Sequence, residues 1–457
     1  MVYDLIVLGG GPGGYIAAER AGGAGLKTLL LEPAALGGTC LNEGCIPSKT
    51  LLNSAKIYHH TTEYGIPFGI NAKGAEVDQA AVIRKKEQVI KNLVSGVAAA
   101  MKAHHVEVRS AAGTILGRKD GLIQVKADGE LLSCKNLIIA TGSRTVIPPI
   151  PGLDEGLASG FVLTSREALA LTELPKKMVV IGAGVIGMEL ATYYQTVGTE
   201  VTVLEALPKI AGPVDAELSA MLQKDCEKAG MKFVLGAKAA RIEADGVVWE
   251  KDGAQEKLLC DKVLLAVGRK SVSDTCGAEN LRIRVEKGAI PVDACCRTNI
   301  MNVYAVGDCT GLSMLAHSAY RMGEVAVNTI LGKKDRFRTK AIPSVLYTNP
   351  EIACIGLTEE QAKERNIDYA LVRLPMAYSG RFLAETDRQN GLAKFLFDKQ
   401  SRTLIGAHVM GSYASEFILT CGIMIEKEMT VDAIREIVFP HPSVSEIIRE
   451  AAFAVSL

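Results

Sequence analysis

The feature that most restricts the fold of this 457-residue chain is a short unit that occurs twice, 173 positions apart. The first copy runs from the apolar stretch Leu5-Ile-Val-Leu8 through Gly9, Gly11 and Gly14 to Glu32. The second runs from Met178-Val-Val-Ile181 through Gly182, Gly184 and Gly187 to Glu205, and Gly25 and Gly198 keep the same offset. An unbroken apolar run is the pattern of a parallel strand covered on both faces. The first glycine permits a tight turn, the second lets a pyrophosphate approach the backbone, and the third lets helix and strand pack closely. The helix that follows offers free N–H groups and a positive dipole end to the anion. An acid ending the second strand is placed to accept hydrogen bonds from a ribose. One such glycine pattern is weak evidence. Two complete copies predict two dinucleotide sites on an α/β architecture with two Rossmann-like domains.

Between the copies lies Gly37-Gly-Thr-Cys40-Leu-Asn-Glu-Gly-Cys45-Ile-Pro-Ser-Lys49. On a helix Lys49 and Cys45 share a face, and a nearby cation raises the thiolate fraction of a cysteine. Five residues of straight helix climb about 7.5 Å, whereas a disulfide holds its Cα atoms roughly 4.4–6.8 Å apart. Cys40 and Cys45 can therefore pair only if the helix begins irregularly between them. Gly44 permits that bend, and Pro47 is tolerated only in a first turn. The stretch reads as a disulfide at a distorted helix start that opens and closes in catalysis. Spacing alone leaves open a structural staple or two unrelated buried thiols. A metal site is disfavoured, because His59 and His60 are the only histidines nearby.

Two dinucleotides and a dithiol imply an electron relay. The dithiol follows the first copy directly, so that copy is expected to hold a fixed FAD and the second a mobile nicotinamide. Glu205 accepts from a ribose 2′-OH and repels a 2′-phosphate, and the following Ala206-Leu-Pro offers no arginine, so NAD is favoured over NADP. Lys+Arg and Asp+Glu both number 51, which argues against nucleic acid or an anionic membrane as the main partner. No apolar run reaches the ~18 residues of a membrane span. Met1 leads straight into a strand without a basic region and cleavage site, making a cytoplasmic location the expectation. Most of the eleven cysteines lack a framework spacing and are expected to be reduced.

Residues 106–140 read as a β-meander ending at Thr141-Gly142, and the strand-to-glycine pattern recurs at Gly268-Arg and Gly307-Asp308. A Pro-rich stretch ending at Gly152, the region near Arg269 and a charged run over 333–340 divide the chain into 1–150, 151–270, 271–340 and 341–457. Residues 369–412 read as short strands with Gly391 and Gly406 at turns, followed by helices over 414–427 and 431–437. The chain closes with Phe-Pro-His441-Pro442-Ser-Val-Ser-Glu446. Pro442 is expected at the first position of a final helix, with His441 just outside and Glu446 a turn inside. A carboxylate beside an imidazole suits a general acid–base partner for a thiol; a helix start with an incidental histidine is the alternative.

Taken together, these residues resemble the pyridine nucleotide-disulfide oxidoreductase family over essentially the whole chain. Cys40-Leu-Asn-Glu-Gly-Cys45-Ile-Pro-Ser-Lys49, Met314-Leu-Ala-His317 and Glu205 are most similar to members that oxidise dihydrolipoyl groups with NAD. So is Val185, where glutathione reductases usually carry a tyrosine over the flavin. The resemblance implies an FAD-binding domain (1–150), an NAD-binding domain (151–270), a central segment returning to the FAD domain (271–340) and a C-terminal α+β dimerisation domain (341–457). It implies a homodimer in which His441 and Glu446 complete the other subunit's site. It pairs Lys49 with Glu189 beside the flavin, places Asp308 at the flavin ribitol and Gly113 at its adenine end, and adds cofactor contacts from Thr39, Thr141, Gly142, Ala316 and Gly268. From the residues alone, Glu189 is merely an acid after the second glycine pattern, and Asp308 is equally a turn aspartate.

The implied partner is a lipoyl carrier on a separate chain, from a 2-oxo acid dehydrogenase complex or the glycine cleavage system. Three positions depart from the family pattern. Lys270-Ser-Val-Ser replaces the usual Pro-Asn after Gly268-Arg269, Tyr320-Arg321-Met322 replaces acidic residues after His317, and Phe439 stands where a histidine is common. Rival readings are a reductase for glutathione or another small disulfide, and a non-catalytic FAD scaffold. A mercuric reductase is disfavoured, because the last cysteine is Cys421 rather than part of a terminal pair.

Overall fold

The computed structural model describes residues 2–72, 74–387 and 390–456. It divides into two compact units. The first comprises 1–50, 83–147 and 268–338; the second comprises 51–82, 148–267 and 339–457.

Among the described residues, the first unit is built on a seven-stranded sheet. Its order is Glu107–Arg109, Thr28–Leu31, Val2–Leu8, Glu130–Ile139, Leu122–Ala127 and Thr114–Lys119, with Val303–Ala305 also paired to Glu130–Ile139. Strand Glu130–Ile139 serves two neighbours on one side. Its first half is antiparallel to Leu122–Ala127, the last turn of the expected meander, and its second half is parallel to Val303–Ala305. Leu5, Ile6, Leu29, Leu137 and Ile139 are fully buried, as strands covered on both faces require.

The second unit carries an all-parallel sheet in the order Lys232–Leu235, Glu200–Glu205, Lys177–Ile181, Lys262–Leu265 and Val162–Leu163. The repeat seen in the sequence persists in the register: Leu8 pairs with Leu31, and Ile181 with Leu204. Gly9 N–H donates to Leu31 and Gly182 N–H to Leu204, each at 2.8 Å. The unit also holds an antiparallel sheet ordered Ser344–Leu346, Ile352–Gly356, Leu404–Met410, Leu392–Asp398 and Tyr369–Pro375. Helices Ala414–Glu426 and Glu446–Ala454 bury Phe417, Ile418, Ile447 and Ile448 in its core.

Two local expectations change. Gly406 lies inside strand Leu404–Met410 rather than at a turn, because a Cβ there would sit 2.1 Å from the Leu357 carbonyl oxygen. The final helix begins at Glu446, so Pro442 is not its first residue. The Glu446 carboxylate reaches back to the Ser443 N–H at 2.8 Å, which holds 443–445 as a turn ahead of the helix.

Candidate active site

Each glycine loop shows which of its glycines the chain itself needs. Gly9 and Gly182 have φ of +102° and +104°. A Cβ on Gly14 would lie 1.8 Å from the Gly9 carbonyl oxygen, and one on Gly187 would lie 2.0 Å from that of Gly182. The second glycines are different. A Cβ on Gly11 would meet nothing closer than 3.9 Å, and one on Gly184 nothing within 4 Å. Both residues cap helices, Pro12–Gly23 and Val185–Thr196, without a side-chain hydrogen bond. Open space beside uncapped N–H groups fits the pyrophosphate of a dinucleotide. Glu32 accepts from the N–H groups of Gly10 (2.6 Å) and Ala34 (2.8 Å), and Glu205 from those of Ala183 (2.6 Å) and Leu207 (2.8 Å). Each carboxylate is fixed by two donors and retains lone pairs for a ribose hydroxyl.

The dithiol straddles a break between two helices. Thr39 and Cys40 belong to the short helix Gly38–Glu43, Gly44 interrupts with φ −142° and ψ −106°, and Cys45 opens helix Cys45–His59. Pro47 falls in that first turn and Lys49 one turn beyond Cys45. Gly37 N–H donates to the Gly10 carbonyl (2.8 Å), so the short helix starts against the first glycine loop. Cys40 is buried and Cys45 half-buried. A hydrogen bond with Cys45, then burial, then the charge on Cys45 push the Cys40 thiol far up, with Lys49 opposing. Cys45 has the helix N-terminus and Lys49 to hold a thiolate.

The first unit also gathers Asp308, Thr141, Gly142, Gly113 and Ala316. Asp308 Oδ2 accepts from Ser143 Oγ (2.5 Å), which accepts from Arg269 Nε (2.8 Å). Arg269 Nη2 donates to the Ser143 carbonyl (2.6 Å) and lies 3.5 Å from Thr39 Oγ1. Burial lowers the pKa of Arg269, while the charges of Asp308, Glu43 and Cys45 raise it. This arginine thus links Asp308 to the residue before Cys40. Sequence reasoning named Gly268 and Asp308 but passed over Arg269 and Ser143, whose one signal was their place after a strand-ending glycine. The departing run after Gly268 forms a two-stranded ribbon, Arg269–Ser271 against Ser143–Thr145. Gly268 (φ +112°) accepts from Val146 N–H through its carbonyl (3.0 Å). Thr141 Oγ1 donates to the Val272 carbonyl, and the Gly142 carbonyl accepts from Val272 N–H (3.0 Å). A Cβ on Gly113 would strike Leu8 at 2.6 Å and Leu31 at 2.7 Å, where two strands end. Ala316 opens helix Ala316–Ile330, whose N-cap Leu315 supplies no side-chain cap.

In the second unit, Glu189 is buried in helix Val185–Thr196 and accepts from Tyr347 N–H (3.1 Å). His441 Nδ1 lies 2.8 Å from Glu446 Oε1, and the imidazole is 79% exposed. The Ser443 N–H first, and His441 second, hold the Glu446 carboxyl below its usual range. Phe439, in place of a histidine, packs on the antiparallel-sheet core.

Residues 3–323 match the family model described as pyridine nucleotide-disulphide oxidoreductase, and residues 342–452 match the model of that family's dimerisation domain. The chain belongs to this family. As a pyridine nucleotide-disulphide oxidoreductase it uses FAD and NAD, and both glycine loops are shaped for a dinucleotide. Among curated relatives, a dihydrolipoyl dehydrogenase of Pseudomonas aeruginosa is 37% identical over 98% of this chain and 96% of its own. A mitochondrial dihydrolipoyl dehydrogenase of Schizosaccharomyces pombe is 37% identical over 99% and 89%. Among solved structures, the HOCl-induced flavoprotein disulfide reductase RclA of Escherichia coli has a TM-score of 0.87 at 27% identity, covering 99% of this chain and 100% of that one. LpdA of Mycobacterium tuberculosis has a TM-score of 0.89 at 25% identity, covering 98% of both chains. Among the described residues, no helix is long and apolar enough to cross a membrane.

Proposed function

We propose that the chain is a dihydrolipoyl dehydrogenase, oxidising dihydrolipoyl groups on a separate carrier protein with reduction of NAD. The observation that carries this reading is the near full-length likeness, at 35–37% identity, to relatives bearing that name. The hydrogen-bonded dithiol beside the first glycine loop supports it.

The substrate thiolate attacks Cys40 of the Cys40–Cys45 disulfide. Cys45 is the more exposed sulfur, but the leaving group decides the direction. The better-stabilised thiolate leaves, and Cys45 alone opens a 15-residue helix with Lys49 one turn along. The Cys40–Cys45 bond breaks as the substrate–Cys40 bond forms. His441 of the second subunit, oriented by Glu446, takes the proton of the second substrate thiol. That thiol then attacks the mixed disulfide and expels Cys40 as the cyclic lipoyl product departs. The chemistry a bound FAD would supply is two-electron transfer between the reduced dithiol and NAD. Gly9, Gly11, Gly14, Glu32, Thr39, Gly113, Thr141, Gly142, Asp308 and Ala316 hold the flavin nucleotide, and Lys49 and Glu189 flank its reactive end. Gly182, Gly184, Gly187, Glu205 and Gly268 hold NAD. The chain works as a homodimer joined through 341–457, and its buried thiols Cys134, Cys276, Cys309 and Cys421 fit the cytoplasm. The carrier belongs to a 2-oxo acid dehydrogenase complex or the glycine cleavage system.

Cys40→Ser tests the order of events. Lipoamide turnover is expected to vanish while NADH-to-dye activity persists. Loss of both in protein that still carries FAD would refute the relay.

A further inference from the structure

Glu205 is held in a frame that reaches well beyond its glycine loop. Ala183, the residue after Gly182, faces two ways: its N–H donates to Glu205 Oε2 (2.6 Å), and its carbonyl accepts from Ala211 N–H (2.8 Å). Ala211 belongs to a strap, residues 206–214, that runs without helix or strand from strand Glu200–Glu205 to helix Ala216–Lys228. Leu207 N–H closes the near end on Glu205 Oε1 (2.8 Å). Farther along, Lys209 Nζ donates to the Val214 carbonyl (3.0 Å), and Ser219 Oγ on the helix donates to the Ile210 carbonyl (2.8 Å). Ala211 is fully buried and has φ +61°. A residue with a Cβ keeps such a backbone only where its surroundings over-determine it.

The far end of the strap is Asp215. Its Oδ1 accepts from the N–H groups of Glu217 (3.1 Å) and Leu218 (3.3 Å), and its Oδ2 accepts from Lys394 Nζ (2.8 Å). An ammonium has three N–H donors, and Lys394 faces three carboxylates, the others being Glu359 at 2.5 Å and Glu217 at 3.3 Å. Lys394 stands on strand Leu392–Asp398 and Glu359 opens helix Glu359–Glu364. One buried ammonium thus fastens the strap and its helix to the antiparallel sheet. Arg373 also pairs with Glu217, but its side chain is half exposed, where an ion pair contributes little.

We propose that Lys394 is a positioning residue for the nicotinamide dinucleotide: through Asp215 and the strap it sets where Ala183 and Glu205 stand, and hence how tightly the second loop binds NAD. The chain of contacts is continuous, from Lys394 to Asp215, along the knitted strap to Ala211, and from Ala211 through Ala183 to Glu205. Hydrogen bonds weaken steeply once donor and acceptor are misaligned, so a small shift of this frame weakens the bond from a ribose hydroxyl to Glu205.

The inference rests on the reading that the second glycine loop holds NAD. Its test is calorimetric titration of NAD into the oxidised holoenzyme, well below the Tm of each variant, with KM and kcat measured alongside. The variants are Asp215→Asn, Lys394→Met and the two combined. Asp215→Asn keeps the cap and leaves Lys394 its two glutamates, so it cuts the link with least harm to the fold. Each variant is expected to raise the Kd and KM for NAD together about tenfold, the size of one weakened hydrogen bond to a charged group, with kcat at saturating NAD little changed. The double variant should regain Tm relative to Lys394→Met yet keep the weak binding, because its charges balance while the link stays broken. A role in stability alone would make Kd follow Tm, so NAD affinity that recovers in the double variant would overturn the inference. Parent-like affinity in Asp215→Asn would overturn it too. Failure of the second-loop reading looks different: NAD would then bind Gly184→Ala as tightly as the parent.

Discussion

Replacing Lys394 with methionine tests how the second unit is held together. Lys394 stands in the middle of strand Leu392–Asp398 and is 2% exposed. Its Nζ lies 2.8 Å from Asp215 Oδ2, 2.5 Å from Glu359 Oε1 and 3.3 Å from Glu217 Oε2. Asp215 is 1% exposed and also caps helix Ala216–Lys228 through the N–H groups of Glu217 and Leu218. Burial opposes the charge on Lys394, but hydrogen bonds to Asp215 and Glu359 outweigh it and raise the pKa. Methionine fills the same space and leaves the Asp215 carboxylate buried without its cation. Breaking a buried pair in this way costs about 3–5 kcal/mol. At roughly 2–4 °C per kcal/mol for a unit of this size, the apparent Tm should fall by on the order of 10 °C.

The pH dependence has a definite sign. In the parent, Lys394 is raised above its unfolded value near 10.4, so its contribution is present at all lower pH and lost only as the solution becomes more alkaline than that. Adding Asp215→Asn retains the cap and removes the stranded charge, and should restore at least half of the lost Tm. Differential scanning fluorimetry of the holoenzyme at pH 7 reads both the loss and the rescue. A Tm loss under about 2 °C, or no rescue by the asparagine, would refute the reasoning.

The glycine loops and the His441 pair give two further expectations. Gly184→Ala meets no atom of the chain within 4 Å, so it should leave Tm unchanged while raising the KM for NAD at least tenfold; Gly187→Ala drives a Cβ against a backbone carbonyl and should lower Tm by several degrees. Glu446→Gln keeps an acceptor for the Ser443 N–H but removes the charge beside His441, and steady-state assays should show lipoamide turnover down tenfold or more with dye reduction by NADH little changed.

Most of the local architecture is legible in the sequence because it rests on short-range rules. Gly9 and Gly182 need their positive φ, Gly44 breaks the helix between the cysteines, and the repeat offset carries through into the pairing of Leu8 with Leu31 and Ile181 with Leu204. What the sequence hid depends on distant partners. Ser143 meets Asp308 across 165 positions, and Tyr15 meets Tyr320 across 305. Arg373, Lys394, His408 and Cys354 line up across four strands, although each alone reads as an ordinary strand residue. Gly406 reads as a turn because glycine usually marks one, and nothing local announces the Leu357 carbonyl that excludes a side chain there. The start of the last helix was displaced by a single side-chain contact, Glu446 with Ser443, that composition does not encode.

The most direct test of the central claim follows absorbance at the NADH band when the purified yellow protein is mixed with dihydrolipoamide and NAD, and then with dihydrolipoamide and NADP. The account predicts rapid NADH formation and little or none of NADPH, since a carboxylate at Glu205, fixed by the N–H groups of Ala183 and Leu207, accepts from a ribose 2′-OH and repels a 2′-phosphate. No turnover with either nucleotide, together with NADPH-driven reduction of oxidised glutathione or another small disulfide, would contradict it.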